Sequence, residues 1–292
     1  MQLFDFYTIL LSAILLCSIY SLMAIGLSLI YTTMRIFNFA HGTLMMICAY
    51  IVWTLIDNRG LGMSMWPGVF IGVVVLFGVG FLVEKIIVNP FLNRRNGDMI
   101  VLIATMMAAS FLEQSSMLIW GPQLKRLPEL VKVHDLSLLG SNLSGVQLLI
   151  LIIGPVFLLG LGLFLKYTRI GLAIRGVEQN RRFAQLAGII PSRINAITFG
   201  LGSSMAGIAG VLMASKSLMT IQMGGEPLIK AFIVLILGGV GSMGATIIGA
   251  FIIGLLESLS VYFVGLYWTP AILFLVMIIV LTFKPTGIFG DK

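Results

Sequence analysis

The sequence predicts an all-α polytopic membrane protein with eight or nine transmembrane helices, some of them interrupted, forming one domain over residues 1–292. Hydrophobic residues make up 59% of the chain and charged residues only 10%, and the mean hydropathy is +1.09. Soluble domains usually contain about 25% charged residues, so this chain lacks the side chains that would cover a water-exposed surface. No polar stretch is long enough to form a separate soluble domain.

Nine segments are apolar enough to be candidate spans, since a transmembrane helix needs roughly 20 mostly apolar residues. The seventh is too short to cross a bilayer alone, which leaves the count at eight or nine. Asp5 stands near the start, where a signal peptide would have basic residues, and this favours retention of the first helix. The segments are Tyr7–Thr33, His41–Ile56, Trp66–Val88, Met99–Trp120, Val146–Leu165, Ile194–Ala214, Leu228–Val240, Gly244–Val261 and Leu266–Phe283.

Lysine and arginine are unequally divided between the two sets of loops. With nine crossings, 12 of the 18 fall in one set and 6 in the other, with Lys230 counted among the 6. Loops rich in Lys and Arg usually face the cytoplasm, so we expect the amino terminus outside and the carboxyl terminus inside. The net charge of +7 is then a topology signal, and no nucleic-acid partner is expected.

Residues that carry redox, metal or nucleotide chemistry are scarce. Cys17 and Cys48 both lie in predicted spans, where small packing residues are the favoured interpretation. The chain has two histidines, His41 and His134, too few for a multi-histidine metal site. It has no Gly-x-x-x-x-Gly-Lys-Ser/Thr stretch, so it cannot bind ATP through a P-loop of its own. We therefore expect no catalytic residue, metal or cofactor in this chain.

Two segments interrupt the apolar pattern, Arg35–Gly42 and Gly238–Ser242. Each follows a helix predicted to run inward and precedes one predicted to run outward. Non-helical backbone at membrane depth persists only where protein buries it or where it lines a wet cavity. Interrupted segments at corresponding positions of two halves mark transport sites. We expect Asn38–Gly42 and Gly238–Ser242 to approach each other near the cytoplasmic half of a substrate pathway, which also includes one polar residue of the fourth span. The predicted pathway residues are Asn38, His41, Gly42, Gln114, Gly239, Gly241 and Ser242.

A purely structural interpretation of the first break stays open. Asn38 is placed to cap the following helix by accepting a backbone N–H, and His41 would be a hydrogen-bonded residue of its first turn. Glu113 and Glu257 also fall within predicted spans. Ionisable residues there tend to face the bundle interior, a cavity or a partner, although both lie near the outer ends of their helices.

The longest basic loop, residues 166–193, contains a predicted amphipathic helix of about two turns. Asn180 can cap its start, and Gly188 and Pro191 end it. The helix either lies on the membrane surface, helped by its arginines, or docks a cytosolic partner. One apolar face is formed at helical spacing by Phe183, Leu186, Ala187 and Ile190.

Four segments, in order and in spacing, resemble the permeases of branched-chain amino-acid ABC importers, nearest the shorter LivH type: Asn38–Gly42, Gly176–Pro191, Gly238–Ser242 and Lys284–Gly290. The resemblance covers essentially the whole chain and implies the fold of a type II ABC importer permease. It also implies that the cytoplasmic loop couples to an ATPase, although its Gly-Val-Glu-Gln-Asn start departs mildly from the commoner pattern. The resemblance and the apolar face together give these coupling residues: Glu178, Phe183, Ala184, Leu186, Ala187 and Gly188.

The resemblance further implies a transporter of several chains in a bacterial or archaeal inner membrane. The expected partners are a second, homologous permease, two cytosolic ATPases that bind ATP and Mg, and a periplasmic or lipid-anchored substrate-binding protein. Branched-chain or other apolar amino acids are the expected substrates, with urea, short amides and aromatic acids as alternatives. Two competing functions are a stand-alone secondary carrier and an intramembrane protease with Ser203 or Ser204 as nucleophile, which would need a base within reach.

Overall fold

We describe a computed structural model of the protein, in which residues 3–57, 60–92, 94–128, 136–138, 141–239, 241–284 and 287–288 are placed. This part of the chain contains twelve α-helices and one antiparallel hairpin, β1 (Leu136–Leu138) with β2 (Ser141–Leu143). The helices are α1 (Leu3–Met34), α2 (Ala40–Ile56), α3 (Met65–Val83), α4 (Asn89–Leu92), α5 (Gly97–Trp120), α6 (Gly145–Tyr167), α7 (Arg169–Gln179), α8 (Arg181–Leu186), α9 (Pro191–Lys216), α10 (Gly225–Gly238), α11 (Met243–Phe263) and α12 (Thr269–Phe283). A π-helical turn, Glu84–Val88, joins α3 to α4.

Each of the nine predicted spans contains a helix among the described residues, although the helix of the seventh span ends at Gly238 and that of the ninth begins only at Thr269. Six helical stretches are long and apolar enough to cross a membrane: Phe6–Met34, Met65–Leu92, Gly97–Trp120, Gly145–Tyr167, Pro191–Lys216 and Met243–Phe263. The helices α2 and α12 are apolar but shorter, with 17 and 15 residues. The seventh span was predicted to be short, and α10 has only 14 residues. The prediction of an all-α polytopic membrane protein with interrupted helices is confirmed.

The helices α1 and α9 form the centre of the bundle. In the most apolar window of α9, 83% of the residues are buried, compared with 22% in α5 and in α6. Glycines let α9 approach its neighbours closely, because a Cβ on Gly202 would lie 2.6 Å from the Gly26 carbonyl oxygen and one on Gly210 would lie 2.3 Å from that of Met45. In lipid the hydrophobic effect does not drive helices together, and the close packing that small residues allow takes its place.

The basic loop forms two helices, α7 and α8, although the sequence pattern predicted only the second. The Asn180 Oδ1 atom accepts hydrogen bonds from the backbone N–H groups of Arg182 (3.0 Å) and Phe183 (3.1 Å), as the capping prediction required. Gly188 has φ +81° and ends this helix. The helix α7 packs against α8 and α9 through a small hydrophobic cluster: Ile174, Val177, Ala184 and Ile194.

Candidate functional site

The first break leads the chain back into the bundle. The helix α1 ends at Met34, and Arg35 takes the left-handed conformation with φ +58°. The His41 Nε2 atom then lies 3.2 Å from the carbonyl oxygen of Met23, which is 11 residues, or about 16 Å, before the end of α1. The helix α2 therefore begins at membrane depth, beside the middle of α1.

Polar groups at the start of α2 are buried and only partly paired. The Asn38 Oδ1 atom accepts a hydrogen bond from the Ala40 N–H at 3.0 Å, so the predicted cap is present. Phe39 N–H donates to the Thr105 hydroxyl at 3.3 Å. Asn38 and His41 are fully buried, and neither Asn38 Nδ2 nor His41 Nδ1 has a hydrogen-bond partner among the placed residues. A buried polar group without a partner costs free energy, so these nitrogens would gain from contact with a polar solute.

The amino-terminal ends of α2 and α10 meet inside the bundle. A Cβ on Gly42 would lie 2.3 Å from the Gly224 carbonyl oxygen, so the two backbones touch. Gly224 immediately precedes α10, which places the starts of two short helices side by side. Helix amino termini carry partial positive charge. Broken helices that present such ends at membrane depth are typical of substrate sites in transporters.

We expect Gly224→Ala to destabilise the protein, because its methyl group would lie 2.0 Å from the Gly42 carbonyl oxygen. Over-packing of this kind typically costs about 1–3 kcal/mol. The adjacent Gly225→Ala substitution is the matched control, since its added Cβ has no atom within 4 Å. Thermal unfolding of the two purified variants measures the difference. Equal melting temperatures would show that the two helix starts can separate without loss of stability.

The first break runs along α10 towards its start. The Phe37 and Phe39 rings pack on Phe232, in the middle of α10, with centroid distances of 5.6 and 5.3 Å. The charge of Arg35 acts on Glu178 of α7, and Gly42 lies at the start of α10. Asn38–Gly42 therefore lies beside the middle and the start of α10, whereas the second break follows its end, so the expected approach of these two segments is not seen.

The second break joins the membrane helices to the basic loop. Gly239 and Gly241 have φ +86° and +104°, conformations that favour glycine. A Cβ on Gly241 would lie 3.6 Å from Glu178 Oε1 of α7. Ser242 caps α11, because its hydroxyl oxygen accepts a hydrogen bond from the Ala245 N–H at 3.3 Å. Near this end of α10, the Ile288 N–H donates to the Leu237 carbonyl oxygen at 2.7 Å.

Glu178 is half-buried beside this break. Burial raises the pKa of its carboxyl group, and the nearby charges of Arg35 and Arg175 oppose that rise. Glu178 thus lies beside the second break, and the charge of Arg35, at the start of the first break, acts on its carboxyl group.

The other predicted coupling residues divide into buried and exposed groups. Ala184 is buried in the cluster that holds α7 to the bundle. Phe183 and Leu186 are 70% and 84% exposed, and Ala187 and Gly188 are exposed as well. A cavity of about 400 Å³ lies beside them, lined among others by Leu172, Arg175, Gln179, Phe183, Ala187 and Ile189.

Gln114 does not join the other predicted pathway residues. It is exposed on α5, on the side turned away from the packed interior of this chain. Its neighbour Glu113 faces inward, and its carboxylate accepts a hydrogen bond from the Thr43 hydroxyl at 3.2 Å, one turn into α2. The structure therefore brings Glu113 close to the start of α2 in place of Gln114.

A buried ion pair was missed by the sequence analysis. Lys230 was counted as an outer-loop residue, but it is only 7% exposed inside α10, and its ammonium lies 2.7 Å from the Glu257 carboxylate of α11. The other Glu257 oxygen accepts a hydrogen bond from the Tyr20 hydroxyl at 2.8 Å. Exposed Glu226 is a second partner of Lys230, at 2.6 Å. Opposite charges in two neighbouring predicted spans were the available signal.

The placed residues give no support to metal or serine chemistry. They contain no group of three or more His, Cys, Asp or Glu side chains that could hold a metal ion. The Ser203 hydroxyl donates to the Phe199 carbonyl oxygen at 2.8 Å, within its own helix. The Ser204 hydroxyl donates to the Val73 carbonyl oxygen at 3.5 Å.

Comparison with known proteins agrees with this architecture. The sequence model of the family described as branched-chain amino acid transport system / permease component matches residues 9–281. The high-affinity branched-chain amino acid transport system permease protein LivH of Escherichia coli (strain K12) is 30% identical over 290 residues, covering 96% of this chain and 94% of LivH. BraD of Pseudomonas aeruginosa, a permease protein with the same description, is 30% identical over 94% of this chain and 92% of its own length.

A more distant relative is archaeal. The probable branched-chain amino acid transport permease protein LivH of Methanocaldococcus jannaschii is 28% identical over 95% of this chain and 90% of its own length. No solved structure is significantly similar to this chain. With six membrane-length apolar helices in the described part of the chain and a family match along nearly the whole sequence, the chain belongs to the permease components of branched-chain amino acid transport systems.

Proposed function

We propose that this permease imports branched-chain or other apolar amino acids as part of an ABC transporter whose ATPase subunits are separate chains. The observation that carries the substrate class is the 30% identity, over 96% of the chain, to a high-affinity branched-chain amino acid permease. The family resemblance supports three kinds of partner: a second permease, two ATPases that bind ATP and Mg, and a substrate-binding protein on the outer side. The amino terminus is outside and the carboxyl terminus is cytoplasmic.

The orientation rests on charge. The loops on the α7–α8 side hold most of the lysines and arginines, and loops of that kind usually face the cytoplasm. The burial of Lys230 removes one cation from the opposite set and so enlarges the difference. The placement of α7 and α8 in the cytoplasm makes them accessible to an ATPase.

The substrate route follows the first break and α10. Two helix amino termini and the unpaired amide nitrogen of Asn38 suit the carboxylate of an amino acid. The His41 Nε2–H donates to the Met23 carbonyl oxygen, so the unpaired Nδ1 is an acceptor and suits the ammonium group. The rings of Phe37, Phe39 and Phe232 lie one to two turns further along α10 and suit an apolar side chain. The contact between Gly42 and Gly224 closes the route in the conformation described here.

Coupling to the ATPase runs through α7 and α8. The exposed side chains of Phe183 and Leu186 dock into the ATPase, and buried Ala184 fixes α8 to the bundle. Glu178 then transmits movement of α7 to the second break, because its carboxylate lies beside Gly241. Because Gly241 follows the end of α10, a shift of α7 would change the position of the helix that lines the route.

Reconstitution into liposomes tests the proposal. The purified chain alone is expected to hydrolyse no ATP and to show no uptake of labelled leucine, because it has no phosphate-binding loop. With its second permease, ATPases and binding protein, it should take up leucine, isoleucine and valine in an ATP-dependent way. Labelled urea, acetamide and phenylalanine are the comparison substrates. Robust uptake by the chain alone would contradict the permease-subunit assignment, and preference for urea or acetamide would contradict the substrate class.

A further inference from the structure

An apolar groove of about 550 Å³ lies between α1, α6 and the start of α11. Its polar side chains are few and internally satisfied: the Ser18 hydroxyl donates to the Ile14 carbonyl oxygen at 3.1 Å, and the Cys17 sulfur lies 3.7 Å from the Ser21 hydroxyl. The remaining wall is hydrocarbon, contributed mainly by Leu158, Leu159, Leu163, Met243 and Ile247. The groove therefore suits an apolar ligand.

The length of the groove matches one leaflet of a bilayer. Along α6 it extends from Pro155 to Lys166, which is 11 residues or about 16 Å of helix. Half of the hydrocarbon core of a membrane is about 15 Å. A single extended acyl chain would follow the groove from the middle of the membrane to its surface.

One cationic residue lines an end of the groove, and other cations lie near it in the chain. Lys166 is exposed and lines it, and the Arg175 guanidinium donates to the Lys166 carbonyl oxygen at 3.2 Å. Arg169 is exposed two residues after Tyr167, whose ring is 71% exposed and lies 5.2 Å from the Lys166 ammonium. Basic pockets between membrane helices on the cytoplasmic side attract anionic headgroups, and tyrosine favours the interfacial layer.

We propose that this groove binds one anionic phospholipid of the cytoplasmic leaflet, with an acyl chain along α6 and its phosphate beside Lys166. A hydrophobic helix of a second subunit could cover the apolar wall but would not pair with the Lys166 ammonium at its end, whereas an anionic headgroup would.

Two glycines of α6 allow a matched test. A Cβ on Gly162 would enter the groove, where the only neighbour within 4 Å is the Met243 sulfur at 3.9 Å. A leucine at this position therefore fills the groove without a backbone clash. Gly160→Leu is the control, because its added Cβ has nothing within 4 Å and Gly160 does not line the groove. Lys166→Ala removes the headgroup contact and leaves the apolar wall intact.

Native mass spectrometry of the purified transporter complex, from nanodiscs of mixed phosphatidylglycerol and phosphatidylcholine, measures the retained lipid. The unmodified complex and Gly160→Leu should retain one phosphatidylglycerol per copy of this chain, and Gly162→Leu should lose it. Lys166→Ala should bind phosphatidylglycerol about fivefold more weakly, since one cation near an anionic headgroup contributes about 1 kcal/mol. Equal retention of both lipids by the unmodified complex would overturn the proposal. Dissociation of a permease subunit by Gly162→Leu would also overturn it, by identifying the groove as a subunit interface.

Discussion

Replacement of Lys230 by alanine is expected to destabilise the protein by about 3 kcal/mol, the largest single-site effect that we predict. The substitution leaves the Glu257 carboxylate, 6% exposed, without the ammonium that lies 2.7 Å away. The Tyr20 hydroxyl would be its remaining partner. An uncompensated charge at membrane depth is costly because neither lipid nor the packed helices can solvate it. Chemical or thermal unfolding of the purified protein measures the loss.

Two further variants separate the buried pair from its exposed neighbour. Glu226→Gln breaks the 2.6 Å contact with Lys230, but Glu226 is 62% exposed, so a change of only about 0–1 kcal/mol is expected. The double variant Lys230→Met, Glu257→Met should be more stable than Lys230→Ala, because neither charge remains buried alone. If the effects of Lys230→Met and Glu257→Met on the free energy of unfolding simply add in the double variant, Lys230 and Glu257 do not act as a pair.

Leu186→Asp is expected to dissociate the ATPase from the permease or to abolish substrate-stimulated ATP hydrolysis. Leu186 is 84% exposed at the end of α8, next to Phe183, which is 70% exposed. Burial of one large apolar side chain contributes about 1.5–3 kcal/mol, so its loss should weaken the contact about 10- to 100-fold. Co-purification stoichiometry and ATPase activity in the assembled complex are the measurements.

The control for this substitution is Arg182→Ala on the same helix. Arg182 is exposed, and surface ion pairs contribute only about 0–1 kcal/mol, so binding of the ATPase should be nearly unchanged. The binding protein on the opposite side should dock normally in both variants. Normal stoichiometry and hydrolysis with Leu186→Asp would favour the alternative, in which α8 lies on the membrane surface.

The membrane class and the approximate positions of the long helices followed directly from the sequence. An apolar stretch of sufficient length must form a helix in lipid, because its backbone polar groups have no other partners there. The sequence also predicted the Asn180 cap and the end of α8 at Gly188, because capping side chains and glycine act within one turn of the helix. The helix α7 was not predicted, although its residues Ile170, Ile174 and Val177 recur at helical spacing and carried a usable signal.

The site depends on contacts that a local pattern cannot encode. From the sequence, the two breaks were predicted to be non-helical segments of a substrate pathway, since glycine and polar residues interrupt apolar runs there. Only the tertiary structure placed the start of α2 beside Met23, brought Gly42 against Gly224, and replaced Gln114 with Glu113 as the inward residue of α5. Which side of a helix faces inward in lipid is set by packing against neighbours, because both sides are apolar and the hydropathy pattern is nearly uniform.

Composition and hydropathy therefore determined that this chain is a multi-span membrane protein with two interrupted helices and a basic loop carrying an exposed apolar face. Which charged residues pair with each other was decided only by the tertiary structure. Lys230 and Glu257 are 27 residues apart and meet only because α10 packs against α11. Glu178 reaches Gly241 in the same way, across 63 positions of the sequence. Such pairs depend on the distance between atoms of different helices, which the order of residues along one helix does not contain.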